Sequence, residues 1–386
     1  MELENDTGYS WRQLSCLVLV MLLSPCLRLL LSASLDQAGR AAWLSPLIAL
    51  GAGLLYLGFM GELLALRQPG EALPELVLRG LGPKLGRVVL LLFGLWTLIY
   101  SAFLLRSGAE RLVVTIYPRS AAEFFIVIMG LCCLAAVLGS ARSLVFAAGI
   151  FRSLLFGALA LVFVFAAFTM DWGELWPLSS KDLLPAVKGS WPGIDILVMG
   201  IYALGFFCWP CGDGRELRRQ GIALVFKLGL LMSMICAAVC GVFGHELASQ
   251  LSSPFFAMVC DLVFFRSLER AEALAVMLWI FPDILLICLF LFVSQHCFRL
   301  SLGQDPRYRA KAFYDMSRGR YIIWLCCAAA MLLGLSLGRS SPSLALWGEL
   351  LIPCANLLFA LVLLPAVYLL LRLSRERQNK KDSSGS

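Results

Sequence analysis

Long apolar segments alternate with short polar connections along almost the whole chain. A helix that crosses a bilayer needs about 20 mostly apolar residues. The pattern predicts ten such helices, at residues 14–35, 42–64, 85–105, 122–138, 153–170, 194–211, 222–244, 273–298, 321–337 and 346–371. The predicted fold class is therefore an all-α membrane protein. A single transmembrane domain at 14–371 would follow a short N-terminus, 1–13, and precede a polar, disordered tail at 372–386.

The composition agrees with burial in a bilayer. Hydrophobic residues make up 60% of the chain, charged residues 15%, and the mean hydropathy is +0.84. Soluble globular domains carry about 25% charged residues, so a water-soluble core would not absorb this much apolar surface. The first segment is not predicted to be a cleavable signal peptide, because no A-x-A-like site follows it and further spans do.

The positive charges predict the orientation of these helices. With ten spans, 21 of the 32 Lys and Arg residues fall on the side of the N-terminus and 9 on the opposite side. Positive loops face the cytoplasm, so both termini are expected there. The net charge of +7 is then a topology signal, and no nucleic-acid partner is predicted.

Ten spans divide into a first repeat at about 14–170 and a second at about 194–371, and an odd repeat length inverts one half relative to the other. Transporters with such inverted repeats carry a broken helix at the same place in each half. Ser24-Pro25 predicts a break in helix one, because proline removes a backbone donor. Gly200 to Gly205 predicts a corresponding break near the middle of helix six.

Two connections have enough apolar residues to pack against the bundle. Residues 69–86 predict a short amphipathic helix on the cytoplasmic side, and residues 251–272 predict an external lid. Most of the 14 cysteines lie inside spans, where cysteine behaves as a small apolar residue. Cys208 and Cys211 form a C-x-x-C without a βαβ pattern or a second pair, so neither redox nor metal chemistry is expected. No catalytic or cofactor motif is present, and the chain is not predicted to be an enzyme or to need a cofactor.

The segment around the lid carries the most specific motif. Gly244-His245-Glu246 is followed by Ser253-Pro254-Phe255-Phe256, by Ser267-Leu268-Glu269-Arg270-Ala271-Glu272 and by Trp279. This progression closely resembles the B subunit of bacterial endospore germinant receptors, the spore germination permease family. Segments 39–45 and 82–86 and the Pro353, Asn356 and Pro365 pattern of helix ten agree with it, so the resemblance covers essentially the whole chain.

The resemblance implies a fold and a pathway. The family is related to the amino acid–polyamine–organocation transporters, which implies a LeuT-like five-plus-five inverted repeat. It also implies recognition of a small nutrient, often an amino acid, in the inner membrane of a spore. The expected partners are a large A subunit and a C-subunit lipoprotein. Arg28 departs from the family pattern, so the ligand does not carry over from better-known relatives.

Arg28 and Asp283 are the main candidates for a polar site inside the membrane. Charged side chains at bilayer depth are costly and are functional by default. Arg28 is expected either to contact a ligand carboxylate or to be neutralised by Asp283, which lies at a similar depth on helix eight. A packing ion pair, or an arginine that snorkels outward, is the alternative.

The remaining site candidates have packing alternatives of their own. Backbone groups at Ser24, Pro25 and Cys26, and at Gly200 and Gly205, are expected to face a ligand if both helices unwind, although the glycines also permit close packing. Side-chain candidates for the ligand are Tyr100, Tyr202 and Trp279, each of which also suits a core. Glu269 and Arg270, at the outer start of helix eight, are candidates for lid or partner contact, whereas capping alone explains the glutamate.

Three functions remain open at this point. The first is a nutrient-sensing receptor subunit that signals to partner subunits, and the second is a proton- or ion-coupled amino acid permease. The third is a membrane scaffold without a ligand, which a side-chain-filled pocket would favour. Fold alone does not choose among them.

Overall fold

The computed structural model describes residues 9–384 except 69–70, 140, 177–178, 209–210, 212–213, 252, 262–270, 304–319 and 338–340. All regular secondary structure in these residues is helical. The α-helices are α1 (Trp11–Met21), α2 (Leu23–Ala38), α3 (Ser45–Ala65), α4 (Leu73–Thr115), α5 (Ala122–Val137), α6 (Ala141–Thr169), α7 (Leu183–Gly189), α8 (Trp191–Phe207), α9 (Gly214–Phe243), α10 (His245–Gln250), α11 (Pro254–Asp261), α12 (Ala271–Ser301), α13 (Arg320–Ser336), α14 (Ser341–Leu346), α15 (Ile352–Leu358) and α16 (Leu364–Ser384). Two π-helical turns, Trp347–Leu351 and Phe359–Leu363, join α14 to α15 and α15 to α16.

Each of the ten predicted apolar segments lies on a helix or on a bent pair of helices. Within the described residues, six helices are long and apolar enough to cross a membrane, or eight if each of two bent pairs is one span. The two segments that remain, 122–138 and 321–337, correspond to the shorter apolar helices α5 and α13. The all-helical membrane class is confirmed, whereas the count of ten spans stays a prediction.

Helix one is broken, three residues before the predicted proline. α1 and α2 meet at Leu22 and, with the turn that follows α2, are bent by 44°. Pro25 has no N–H for the carbonyl of Met21, and its ring crowds that carbonyl, so the ladder is disturbed one turn earlier. The freed backbone therefore lies at residues 21–22 rather than at Ser24.

Helix six differs from the prediction. α8 runs without interruption through Gly200 and Gly205, and its bend of 43° against the preceding helical segment lies at Ser190. A Cβ at Gly200 would lie 2.7 Å from Leu22 Cδ1, and one at Gly205 would lie 3.1 Å from Met60 Cε. These glycines permit close packing, and the expectation of unwound backbone at 200–205 was wrong. Gly200 instead packs against Leu22, the residue at which helix one breaks.

The short helix predicted within 69–86 is present as the first part of α4, whereas its cytoplasmic side stays a prediction. Gly82 has φ 78° and ψ 172°, which turns the chain sharply before Pro83 starts the long apolar part. Leu73, Leu76 and Val77 are buried against the bundle. Glu75 Oε1 lies 2.7 Å from His296 Nε2, near the C-terminal end of α12. This contact holds the first part of α4 against that end of α12.

The two longest helices, α4 and α12, pack against each other, and α2 lies beside them. α12 packs along α4, and α2 packs against α12 and α8. Many of the large apolar side chains that remain exposed lie on outer helix faces, such as Leu55, Ile150, Phe168 and Leu332. A bilayer covers such faces.

The turn at Gly82 gives the first prediction. Its dihedral angles lie in a region that only glycine adopts without strain, so Gly82→Ala is expected to lower the free energy of unfolding by about 1–3 kcal/mol. Thermal unfolding of the purified protein in detergent measures the change. The matched control is Gly58→Ala, because Gly58 is helical with open space around its Cβ position, and no loss is expected there. Equal midpoints for the two variants would contradict the prediction.

Candidate ligand-binding site

A cavity of about 480 Å³ lies between α2, α4, α12, the segment 249–256 and the turn after α14. Ligand pockets in proteins typically measure about 300–1,000 Å³. Its polar and charged lining residues are Arg28, Ser32, Asp36, Ser107, Glu110, Arg111, Thr115, Ser249, Gln250, Ser253 and Glu349, and its apolar ones include Phe103, Phe255 and Trp279. The cavity extends from Arg28, near the middle of the first predicted span, toward the end of the bundle that the charge count predicts to be external.

Arg28 borders this cavity with hydrogen-bonding capacity to spare. Its guanidinium carbon lies 5.1 Å from the centroid of the Phe103 ring. Its Nε and Nη2 are buried and have no hydrogen-bond partner among the described residues. Gly348 faces it, and a Cβ there would lie 3.8 Å from Arg28 Nη1. A half-buried arginine with two buried nitrogen atoms that lack partners offers the charge-assisted hydrogen bonds that an anionic ligand group accepts.

Asp283 pairs with Arg111, so the expectation that Asp283 neutralises Arg28 was wrong, whereas the alternative, contact of Arg28 with a ligand carboxylate, stays a prediction. Arg111 Nη2 and Asp283 Oδ2 form a salt bridge, and the Asp283 side chain is fully buried. Ser24 Oγ donates to Asp283 Oδ1 at 2.5 Å. Sequence reasoning placed Arg111 in an external loop, but α4 continues to Thr115 and carries it inward.

Trp279 covers one side of this ion pair. The Arg111 guanidinium carbon lies 4.4 Å from the centroid of the Trp279 ring, a cation–π contact. Trp279 is buried and lines the cavity. It is thus both a packed tryptophan and a wall of the cavity, and the two alternatives for this residue are compatible.

The charges in the cavity wall are of both signs. Arg28 and Arg111 belong to α2 and α4, whereas Asp36 and Glu349 are exposed carboxylates on α2 and on the π-helical turn. Glu110 also lines the cavity and pairs with the buried Arg106. Because Asp283 already neutralises Arg111, Arg28 is the cation left to a ligand in the described part of the wall, and the acidic pair suits a positive ligand group.

Several predicted site residues lie behind the cavity rather than in its wall. Pro25 and Cys26 are buried, and Gly200 and Gly205 serve helix packing. Glu269 and Arg270 lie outside the described residues. Tyr100 and Tyr202 belong to a buried network in which Tyr202 Oη donates to Asn356 Oδ1 at 3.3 Å, Trp96 Nε1 donates to the same oxygen at 3.2 Å, and Tyr100 Oη lies 3.6 Å from Met199 Sδ.

Sequence reasoning missed two charged residues. Arg111 follows Tyr100, Phe103 and Ser107 at intervals of three or four residues, so the helical period marks it as a member of their face. Asp195 was overlooked because it stands near the start of its apolar segment, yet it is 1% exposed. Residues 195, 199 and 202 share one face of α8, and this spacing was the available signal.

Hydrogen bonds from side chains to backbone carbonyls join elements at the opposite end of the bundle. Tyr9 Oη donates to the Phe207 carbonyl at 2.9 Å. Arg67 donates to the carbonyls of Cys208 and Cys211 at 2.8 and 2.9 Å. These bonds tie the residues before α1 and after α3 to the end of α8.

Comparisons with known proteins agree on a membrane-protein family and a fold. The spore permease family model, described as a spore germination protein, matches residues 9–302. A solved nucleobase-cation-symport-1 family transporter, in a closed conformation with bromovinylhydantoin bound, aligns with a TM-score of 0.61 at 13% identity, covering 92% of this chain and 78% of that one. At this identity the likeness shows the fold alone. A search of individually curated proteins gives no match.

The buried ion pair supplies the second prediction. Removing one partner of a buried pair leaves an uncompensated charge and costs about 3–5 kcal/mol, so Asp283→Asn is expected to lower the unfolding midpoint strongly. The double variant Asp283→Leu with Arg111→Met removes both charges and is expected to recover much of the loss. Glu376→Gln is the control, because its pair with Arg372 is more than half exposed and contributes less than about 1 kcal/mol. A double variant less stable than Asp283→Asn would contradict the expectation.

Proposed function

Because this chain belongs to the spore germination protein family, whose model matches most of it, we propose that it is the nutrient-sensing subunit of a spore germination receptor. A small nutrient, an amino acid in this proposal, binds in the cavity beside Arg28 near the membrane midplane. Binding favours one of two arrangements of the bundle, and the change in population is passed to partner subunits.

The unsatisfied guanidinium of Arg28 is the observation that carries the proposal. A ligand carboxylate that accepts from Arg28 would satisfy a buried donor that costs free energy while unpaired. The acidic residues of the wall, Asp36 and Glu349, supply the complementary charge for an ammonium group. A zwitterion of amino-acid size matches both features, and a neutral sugar matches neither.

The proposed partners follow from the family. An A subunit with a membrane domain and a C-subunit lipoprotein would receive the signal, in the inner membrane of the spore, with both termini of this chain in the cytoplasm. Only 22% of the most apolar stretch of α6 is buried inside the bundle. Helices such as α6 therefore leave ample surface for lipid or for partner helices. The receptor would have no enzymatic step.

A proton- or ion-coupled amino acid permease is the alternative, and one observation favours it. The fold is shared with a solved transporter, and transporters with such inverted repeats work by alternating access to a site between the repeats. A scaffold without a ligand fits less well, because the cavity is not filled by side chains. Uptake of labelled amino acids by proteoliposomes containing the chain alone distinguishes the permease from the sensor.

Replacement of Arg28 tests the proposed ligand contact. In spores whose only receptor of this family contains this chain, individual amino acids and sugars are screened for germination. We expect at least one amino acid to trigger it, and Arg28→Gln to raise the required concentration about tenfold or more, because a charge-assisted hydrogen bond contributes about 1.5–3 kcal/mol. Arg28→Lys, which keeps the charge but not the planar fork, is expected to retain part of the response.

Arg119→Gln is the matched control. Arg119 is an exposed arginine in the turn that follows α4, and it does not line the cavity. Immunoblots of spore membranes establish that all variants are present at equal levels. An unchanged response of the Arg28→Gln spores to every amino acid would contradict the ligand contact. Spores that lack this chain and still germinate normally with every nutrient would contradict the sensor function itself.

A further inference from the structure

Asp195 is a buried carboxyl that neither the proposed ligand site nor the ion pair uses. It lies on α8, one turn into the helix, and is 1% exposed. Its Oδ1 is buried and has no hydrogen-bond partner among the described residues. Asn356, on the short helix α15, is its hydrogen-bonding side-chain neighbour. An unsatisfied carboxyl oxygen in a membrane bundle needs an explanation, because such groups are rare and costly.

No described cation neutralises this carboxyl. The ion pairs in the described part of the chain do not include Asp195. Asp283 is the useful comparison, since it is equally buried but is bonded to both Arg111 and Ser24. Two buried carboxyls in one bundle thus have opposite surroundings, one bonded to a cation and a hydroxyl and the other without a described cation.

The groups that face Asp195 are neutral or lie one layer further away. On its own helix the face carries Met199 and Tyr202, and across from it stand Tyr100 on α4 and Asn356 on α15. The next layer of titratable or charged side chains consists of Tyr56 on α3, Arg28 on α2 and Asp283 on α12. The described residues contain no group of three or more His, Cys, Asp and Glu side chains that could hold a metal ion. A proton needs only the carboxyl.

We infer that Asp195 is a proton-binding site, whose carboxyl is protonated while α8 packs against α4 and α15 and releases its proton when these helices separate. The O–H bond forms with a proton taken from water and breaks by returning it to water, so no other reactant is needed. In the packed state the neutral acid has no charge to desolvate. When the helices part and water enters, ionisation becomes favourable.

This site lies close enough to the cavity to be linked to it. The Tyr100 ring centroid is 6.4 Å from that of Phe103, and Phe103 lies under the Arg28 guanidinium. Two aromatic layers therefore separate a ligand at Arg28 from the proton at Asp195. If ligand binding rearranges α4 and α8 and so changes the proton affinity of Asp195, protonation of Asp195 changes the ligand affinity by the same factor.

Infrared spectroscopy of the reconstituted protein tests the inference directly, because a protonated carboxyl has a C=O stretching band that a carboxylate lacks. At pH 7 the unmodified protein is expected to show such a band, shifted in deuterated water. Asp195→Asn, nearly identical in shape, is expected to lose it. Glu62→Gln is the matched control, since Glu62 is exposed on α3, and the band should persist. A band of equal intensity in the unmodified protein and in Asp195→Asn would overturn the proposal.

Thermal unfolding across pH 5–8 provides a second measurement that does not depend on band assignment. In the unfolded chain an aspartic acid ionises near pH 3.9, whereas folded Asp195 keeps its proton, so this residue makes the folded state less favourable as the pH rises. The midpoint of Asp195→Asn minus that of the unmodified protein should therefore grow by about 2–4 °C toward pH 8. If Asp195→Asn does not assemble, Asp195→Ser takes its place in both measurements. A difference independent of pH would overturn the proposal.

Discussion

The hydrogen bonds of one fully buried carboxylate hold the centre of this bundle together. Asp283 on α12 accepts from Ser24 on α2 and forms a salt bridge with Arg111 on α4. A carboxylate in a medium of low dielectric is stable only when such donors surround it. α2, α4 and α12, which all contribute to the cavity wall, are thereby fixed relative to one another, and Arg28, one turn beyond Ser24 on α2, is left facing the cavity.

Much of the fold follows from the pattern of apolar residues. Segments of about 20 apolar residues have few alternatives to a membrane helix, since no other structure satisfies the backbone in lipid. Pro25 marks the break in helix one because a missing N–H acts locally. Gly200 and Gly205 are different, since glycine in a helix serves unwinding and close packing equally well. The side chains that pack against them decide between the two, Leu22 at Gly200 and Met60 at Gly205.

The site was predictable to the depth of the membrane but not to the pairing of its charges. Arg28 and Asp283 stand at similar depth on helices one and eight, and this made them plausible partners. Which cation reaches Asp283 depends on the length and rotation of α4. This helix continues past its most apolar residues to Thr115, so Arg111 lies on it and faces Asp283. Asp195 escaped attention for a related reason: a carboxyl near the start of an apolar segment resembles an interfacial residue until a neighbouring helix covers it.

The contact between Leu22 and Gly200 also constrains how helix one moves. Leu22 fits into a notch that exists only because residue 200 has no side chain, and Val18 closes the notch on one side. Sliding of α1 along α8 would drive Leu22 out of this notch and into larger side chains. Rotation of α1 about Leu22 keeps the contact with Gly200. The first half of helix one is thus held at both ends, by Leu22 against Gly200 and by Tyr9, whose hydroxyl donates to the Phe207 carbonyl.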